Sequence, residues 1–317
     1  MNASRPIRFL YDAIIDSFYN SNPLAKNRLD ELAKEHKVYP GIIFNFSTGG
    51  MKTPVVELET KKIEIHESHL CFLWILTFNF LEMNESARQK DLSGTRTRNF
   101  NMSSLSDPMM VEDMFNWAFS LKNNYTAWPD DFPRPTDPHQ KIQIVNLVFI
   151  KIINYLMYHE IAHLANGHIS YIDIIKIKDQ NLEGDQKDLI KQLELEADNY
   201  ALEMLRGEGA EELELHNNAV ASILGNISNL FIINGISGLK GSRHQDIDTR
   251  LFNLKNSLVF ENALYKLNID QIIATGIKLF LLINNVDYLK GIPERKSWNE
   301  TFELELLYLF GLLEQHK

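Results

Sequence analysis

The chain has 317 residues, 44% apolar and 23% charged, which excludes a disordered or fibrous protein and leaves enough apolar material for a sizeable core. Its formal net charge is −10, with lysines and arginines dispersed. There is no basic stripe to neutralise a run of phosphates, so direct nucleic-acid binding is not expected.

Residues 1–10 carry Arg5 and Arg8 among few apolar side chains and lack the apolar centre of a secretory signal. A helical pattern covers residues 6–37, interrupted at Asn22-Pro23 and stopped by Pro40-Gly41. Short alternating or β-branched runs at 42–46, 54–59 and 62–66 predict strands, with turns at Thr48-Gly49-Gly50 and Thr60-Lys61, and so a small antiparallel sheet. Residues 67–85 are too densely apolar for a surface helix and predict a buried one. Cys71, the single cysteine, lies there; it excludes an intrachain disulfide and fits a reduced, cytoplasmic setting.

From 86 to 139 the chain is rich in Ser, Asn, Asp and Pro, with one helical island near 111–122, and predicts a linker, lid or binding loop. Its Pro-rich part, 128–138, is read as a plain loop. The longest helical pattern, 140–166, follows, and then helices at 185–206, 210–233, 247–267, 269–285 and 298–316. The most apolar stretches, 70–81, 142–157, 219–239 and 269–285, are short or broken by Asn, Lys or Ser and read as core helices, so no transmembrane segment is expected. The expected class is mainly α with a small antiparallel β-sheet (α+β). The regions are 1–90 (helices, sheet and buried helix), 91–139 (irregular loop or lid) and 140–317 (helical, carrying the chemistry).

Within the long helix lies His159-Glu160-Ile161-Ala162-His163, the H-E-x-x-H pattern. Histidines at i and i+4 project from one helical face and can ligate one Zn²⁺, while Glu160 stands beside them to act on a metal-bound water. A buried apolar helix that ends in two histidines and a glutamate needs polar compensation, which a metal supplies. His66 and His69, at the junction of the last strand and the apolar helix, have no third ligand near them in sequence and are not read as a second metal site. Tyr155 and Tyr158 are read as packing residues.

A catalytic zinc wants three protein ligands and an open position, and two candidates exist for the third. His168 follows His163 by five residues, about 140° around a continuous helix, and reaches the metal only if the helix unwinds at Gly167. Glu194, in Glu194-Leu195-Glu196-Ala197-Asp198, shares a helical face with Asp198. Glu194 is then able to ligate while Asp198 accepts the second N–H of a ligand histidine.

H-E-x-x-H-x-x-x-x-H followed by E-x-x-A-D resembles the gluzincin metallopeptidases. That resemblance implies a zincin-like core, one zinc per chain, and Glu194 as the third ligand. Ser242-Arg243-His244-Gln245-Asp246-Ile247-Asp248-Thr249-Arg250-Leu251 is similar to the S-x-H-P-x-x-x-x-R-[IL] segment of the prenyl-protein peptidase group, with Gln245 in place of proline. It implies that His244 stabilises the tetrahedral intermediate and that Arg250 braces acidic residues of the site. Length, acidity and motif position resemble the bacterial phage-exclusion Lit peptidases. That likeness implies cleavage of translation elongation factor Tu during phage infection.

The expected protein is thus a cytoplasmic zinc endopeptidase with Glu160 as general base and a protein substrate. If it is toxic to its own host, latency until a phage-derived activator binds is expected. Two alternatives remain at this level: a non-catalytic zinc-binding regulatory module, and a cytoplasmic gluzincin cleaving a repressor or another protein.

Overall fold

The structure, a computed structural model, describes residues 5–39, 41–46, 49–57, 60–92, 107–168, 184–233, 235–239, 247–288, 291 and 298–316. A 3-10 turn, Pro6–Leu10, leads into α1 (Tyr11–Asn20). α2 (Pro23–Lys34) restarts after Asn22, whose side chain accepts the Ala25 N–H while Pro23 occupies the first turn, where its missing N–H costs nothing.

Three strands follow, β1 (Ile42–Asn45), β2 (Val55–Glu57) and β3 (Lys62–His66), in the order β1-β3-β2. The sheet is mixed and not wholly antiparallel: β2 pairs antiparallel with β3, whereas β1 runs parallel to it. The link from β1 to β2 does not close a tight hairpin because it is drawn off to the end of α4 (Pro108–Ser120). There the Met51 N–H donates to the Leu121 carbonyl. Gly50 sits so near that a Cβ would lie 2.4 Å from the Lys122 carbonyl oxygen. β3, which buries Ile63 and Ile65 on one face, takes the centre.

α3 (Glu67–Leu92) begins directly on β3. Glu67, buried at the helix start where the macrodipole favours an anion, accepts Arg8 Nε at 2.9 Å and the Tyr11 hydroxyl at 3.0 Å. Every residue from Leu70 to Phe80 is buried, because β3 below it and α4, the helix at 140–165 and two C-terminal helices around it leave no solvent face. After α4 the Pro-rich stretch packs on the body of the protein. Trp128 sits edge-on to Trp74 and Trp117, and Asn146 accepts Trp74 Nε1 while donating to the Pro135 carbonyl.

α5 (Gln140–Ala165) is the hub, touching α1, α3, β2 and the two helices that follow it, α6 (Gly184–Arg206) and α7 (Glu212–Ile232). It is long and apolar enough to cross a membrane, yet most of its apolar window is buried inside the protein. Two of its buried polar groups tie it to α1: Asn154 Nδ2 donates to Ser17 Oγ and the Tyr158 hydroxyl to the Phe18 carbonyl. α8 (Ile247–Ser257), α9 (Ala263–Ile283) and α10 (Trp298–Gln315) complete the described helices.

The expected break between helices 247–267 and 269–285 lies earlier, at 258–262. Asn262 caps α9 by accepting the Leu264 N–H, and Val259, 80% exposed, has no helical face to join. Nothing interrupts the chain at Asn268, which instead lies within α9 and meets His216.

Candidate active site

The last turns of α5 carry His159, Glu160 and His163 to where α6 crosses, and α6 presents Glu194 and Asp198 from successive turns. Both histidines, Glu194 and Asp198 are buried; Glu160 is half-buried. Four atoms of three residues converge: His159 Nε2 and His163 Nε2 are 3.3 Å apart, His159 Nε2 lies 3.4 Å from Glu194 Oε2, and His163 Nε2 lies 3.7 Å from Glu194 Oε1.

The outer nitrogens have their own partners. His159 Nδ1 lies 2.9 Å from Asp198 Oδ1, and a carboxylate only accepts, so Nδ1 carries the proton and Nε2 keeps a lone pair. His163 Nδ1 lies 3.1 Å from His168 Nδ1, on the side of the ring away from the convergence point. Two imidazole lone pairs and a carboxylate that face one another in a buried space repel unless a cation or proton lies between them. Tetrahedral zinc with bonds of about 2.0–2.1 Å separates its ligand atoms by about 3.3–3.4 Å. The separations found here fit such an ion, and these three residues form the one metal-competent group of His, Cys, Asp and Glu among the described residues.

Asp198 is the anchor behind the ligands. Besides His159 it accepts the Tyr155 hydroxyl at 2.9 Å and takes Arg250 in a fork, Nε to Oδ2 at 2.7 Å and Nη2 to Oδ1 at 2.6 Å. Burial by itself would raise the Asp198 pKa, but Arg250 and His159 outweigh it and hold the carboxyl well below the usual range. Burial likewise opposes a charged His159, yet its bonds to Asp198 and Glu194 raise it to about 9. In the metal-free protein that histidine therefore takes up the cation the site calls for as a proton.

The Arg250 Nη1 lies 3.8 Å from Glu194 Oε2, so one guanidinium from α8 spans both α6 carboxylates. His244 lies outside the described residues.

Two residues carry more than the sequence indicated. Tyr155 is not merely a packing residue: its hydroxyl donates to Asp198 and accepts Asn226 Nδ2 at 2.8 Å, tying α7 to the site. Burial and Asp198 together push that phenol well above its ordinary pKa, so it remains a donor. Its place four residues before His159, on the same helical face, was the available signal. Asn226 had none, because only the packing of α7 on α5 brings it there. Gly225 permits that approach, since a Cβ there would lie 3.1 Å from the Tyr155 ring.

The second surprise is His168. The helix does end before it, at Ala165, and Gly167 adopts φ +72°, but the reversed chain delivers His168 behind His163 and not to the convergence point. Near the sheet, His66 Nε2 lies 3.0 Å from Glu64 Oε1, and His69 stacks on Phe72, its pKa pushed down by burial to about 3.

No curated protein and no solved structure matches the chain at a significant level. The profile of the family described as Peptidase U49 does match, over residues 63–268, which takes in β3, α3, the whole histidine and carboxylate cluster and the start of α9. The match covers well over half of the chain, and the protein belongs to peptidase family U49, the Lit peptidases.

Proposed function

We propose that this peptidase is a zinc-dependent endopeptidase in which His159, His163 and Glu194 hold the metal and Glu160 is the general base. One observation carries the reading: two buried imidazole nitrogens and the Glu194 carboxylate converge, at 3.3, 3.4 and 3.7 Å, while both histidines have their Nδ1 side occupied by other partners. Zinc bound there would supply a Lewis acid for the scissile carbonyl and lower the pKa of a bound water.

The chain's own residues do the rest. Glu160, half-buried one residue after His159, takes the proton of the attacking water and hands it to the leaving amine nitrogen. Asp198, itself held ionised by Arg250, fixes the His159 tautomer so that Nε2 stays available. The likeness of residues 242–251 to the prenyl-protein peptidase segment assigns the developing oxyanion to His244. β2 is an edge strand in contact with α5, which suits it to pair with the backbone of an extended substrate.

The substrate that the family resemblance implies is translation elongation factor Tu, cut during phage infection; an enzyme so toxic to its own host would be held latent until a phage-derived component binds. A cytoplasmic location accompanies it. The single cysteine, buried with its thiol pushed up by burial, suits a reducing compartment.

The test is incubation of the purified protein with elongation factor Tu, with and without phage lysate, read by intact-mass spectrometry. One cleavage that needs the lysate, is stopped by a zinc chelator and is absent with Glu160→Gln supports the whole reading. Cleavage of other lysate proteins but not of the factor overturns the substrate, and cleavage that survives metal removal overturns the zinc assignment.

A further inference from the structure

The back of His163 is served by a second imidazole. His168 is 2% exposed, its Nδ1 lies 3.1 Å from His163 Nδ1, and its Nε2 lies 3.3 Å from Glu196 Oε2. Glu196 is on α6, two residues after Glu194, and its side chain is 45% exposed.

With both imidazoles neutral, the contacts along this line fit one arrangement of protons. The neighbouring Glu196 carboxylate, which accepts only, favours the proton on His168 Nε2, and that leaves its Nδ1 as an acceptor. The proton between the two Nδ1 atoms must then belong to His163, and the His163 Nε2 lone pair faces His159 and Glu194. His159 reaches the same state by a different route, through Asp198 directly. The two ligand histidines are thus oriented by separate devices: a buried carboxylate locked by Arg250, and an imidazole that ends on a partly exposed carboxylate.

We propose that His168 and Glu196 are positioning residues that fix the Nδ1–H tautomer and the ring orientation of His163, and so raise the affinity of the site for its metal, without ligating it. Gly167 makes this possible. Its φ of +72° turns the chain back at the end of α5, which brings a residue five positions beyond His163 behind the same ring. The inference rests on the metal reading above and names what that reading leaves open, namely what holds the second ligand histidine.

Outer partners of ligand histidines change metal affinity by about 10- to 100-fold when removed. The experiment is a competition titration of the full-length protein with zinc against a chromophoric chelator, for wild type, His168→Ala, His168→Asn, Glu196→Ala and His163→Ala. The visible spectrum of each Co²⁺-loaded form is recorded beside it.

His168→Ala is expected to bind one zinc about 10- to 100-fold more weakly, with a Co²⁺ spectrum that keeps the wild-type band pattern. Glu196→Ala should weaken binding in the same direction by a smaller factor. His168→Asn, whose amide both accepts and donates, should recover most of the affinity. A purely structural role for His168 would lower thermal stability without this rescue, so a melting curve of the metal-free variants accompanies the titration.

Unchanged affinity in His168→Ala or in Glu196→Ala overturns the proposal. So does loss of the bound metal in His168→Ala at saturating zinc, with a Co²⁺ spectrum matching that of His163→Ala, because His168 would then be a ligand. Wild-type protein that binds no divalent metal overturns the metal reading itself, and this proposal with it.

Discussion

Replacing Arg250 with methionine tests the brace behind the ligands most directly. Arg250 is 7% exposed and Asp198 4%, and the fork between them consists of two charge-assisted bonds at 2.7 and 2.6 Å. Methionine matches the length and apolar stem of arginine but leaves the Asp198 charge buried, with only the Tyr155 hydroxyl and His159 as donors. Breaking a buried pair from one side costs about 3–5 kcal/mol, most of it the stranded charge. Urea unfolding of the metal-free protein at neutral pH, followed by circular dichroism, should show that loss. Arg250→Lys, which keeps the charge but not the fork, should recover part of it. The pH dependence has a definite sign. Burial opposes ionised Asp198 and Arg250 is the leading counterweight, so its folded pKa is depressed. The stabilisation it gives is present above the ordinary carboxylate range and is lost as pH falls through the folded value. With Arg250 gone, that acid loss should begin at a higher pH than in the wild type. A change of less than about 1 kcal/mol, or an unmoved acid limb, would refute the assignment of Arg250 as the group that holds Asp198 ionised.

Glu160→Gln should leave the metal bound and the fold intact while cutting turnover by about 10²- to 10⁴-fold, the usual contribution of a general base; elemental analysis beside a peptidase assay checks both halves. His159 is opposed by burial but raised by Asp198 and Glu194 to about 9, so binding of a metal there must displace a proton below that pH. Zinc affinity should therefore climb by up to about tenfold per pH unit between pH 6 and 9, and a flat profile would argue against His159 as a ligand. In the metal-free protein the sign is opposite: the stabilisation from charged His159 is complete below its ordinary value and fades as pH rises through about 9, which a pH series of urea titrations will show. Gly167→Ala meets no atom within 4 Å, so its cost should be the backbone alone, about 1–2 kcal/mol for a left-handed residue at φ +72°. Asn262→Ala, which removes the cap of α9, should cost about 1 kcal/mol in the same unfolding assay.

Much of this protein could be read from local pattern. The order and class of the elements followed from periodicity and from the breakers Asn22-Pro23 and Pro40-Gly41, because helix and strand periods are properties of neighbouring residues. His159, Glu160 and His163 were legible for the same reason: i and i+4 on a helix are adjacent whatever the rest of the chain does. Glu194 and Asp198 were readable as a pair on one face, but not as neighbours of the histidines. Resemblance made that link, and the crossing of α5 by α6 is what realises it.

What lay beyond the sequence was settled by contacts between segments far apart in the chain. The parallel pairing of β1 with β3 depends on where the linking loop is anchored, at Leu121, some seventy positions after it. Tyr155 looked like one more aromatic in an apolar helix until α7 set Asn226 against its hydroxyl and α6 set Asp198 there. His168 was close in sequence to its partner, yet its role turned on one backbone angle at Gly167 that no side-chain pattern encodes. The sequence by itself therefore determined which groups the protein has for metal chemistry and which helices carry them. The tertiary structure decided which of these groups face a common point and which stand behind it, because directions between helices are set by packing and not by periodicity.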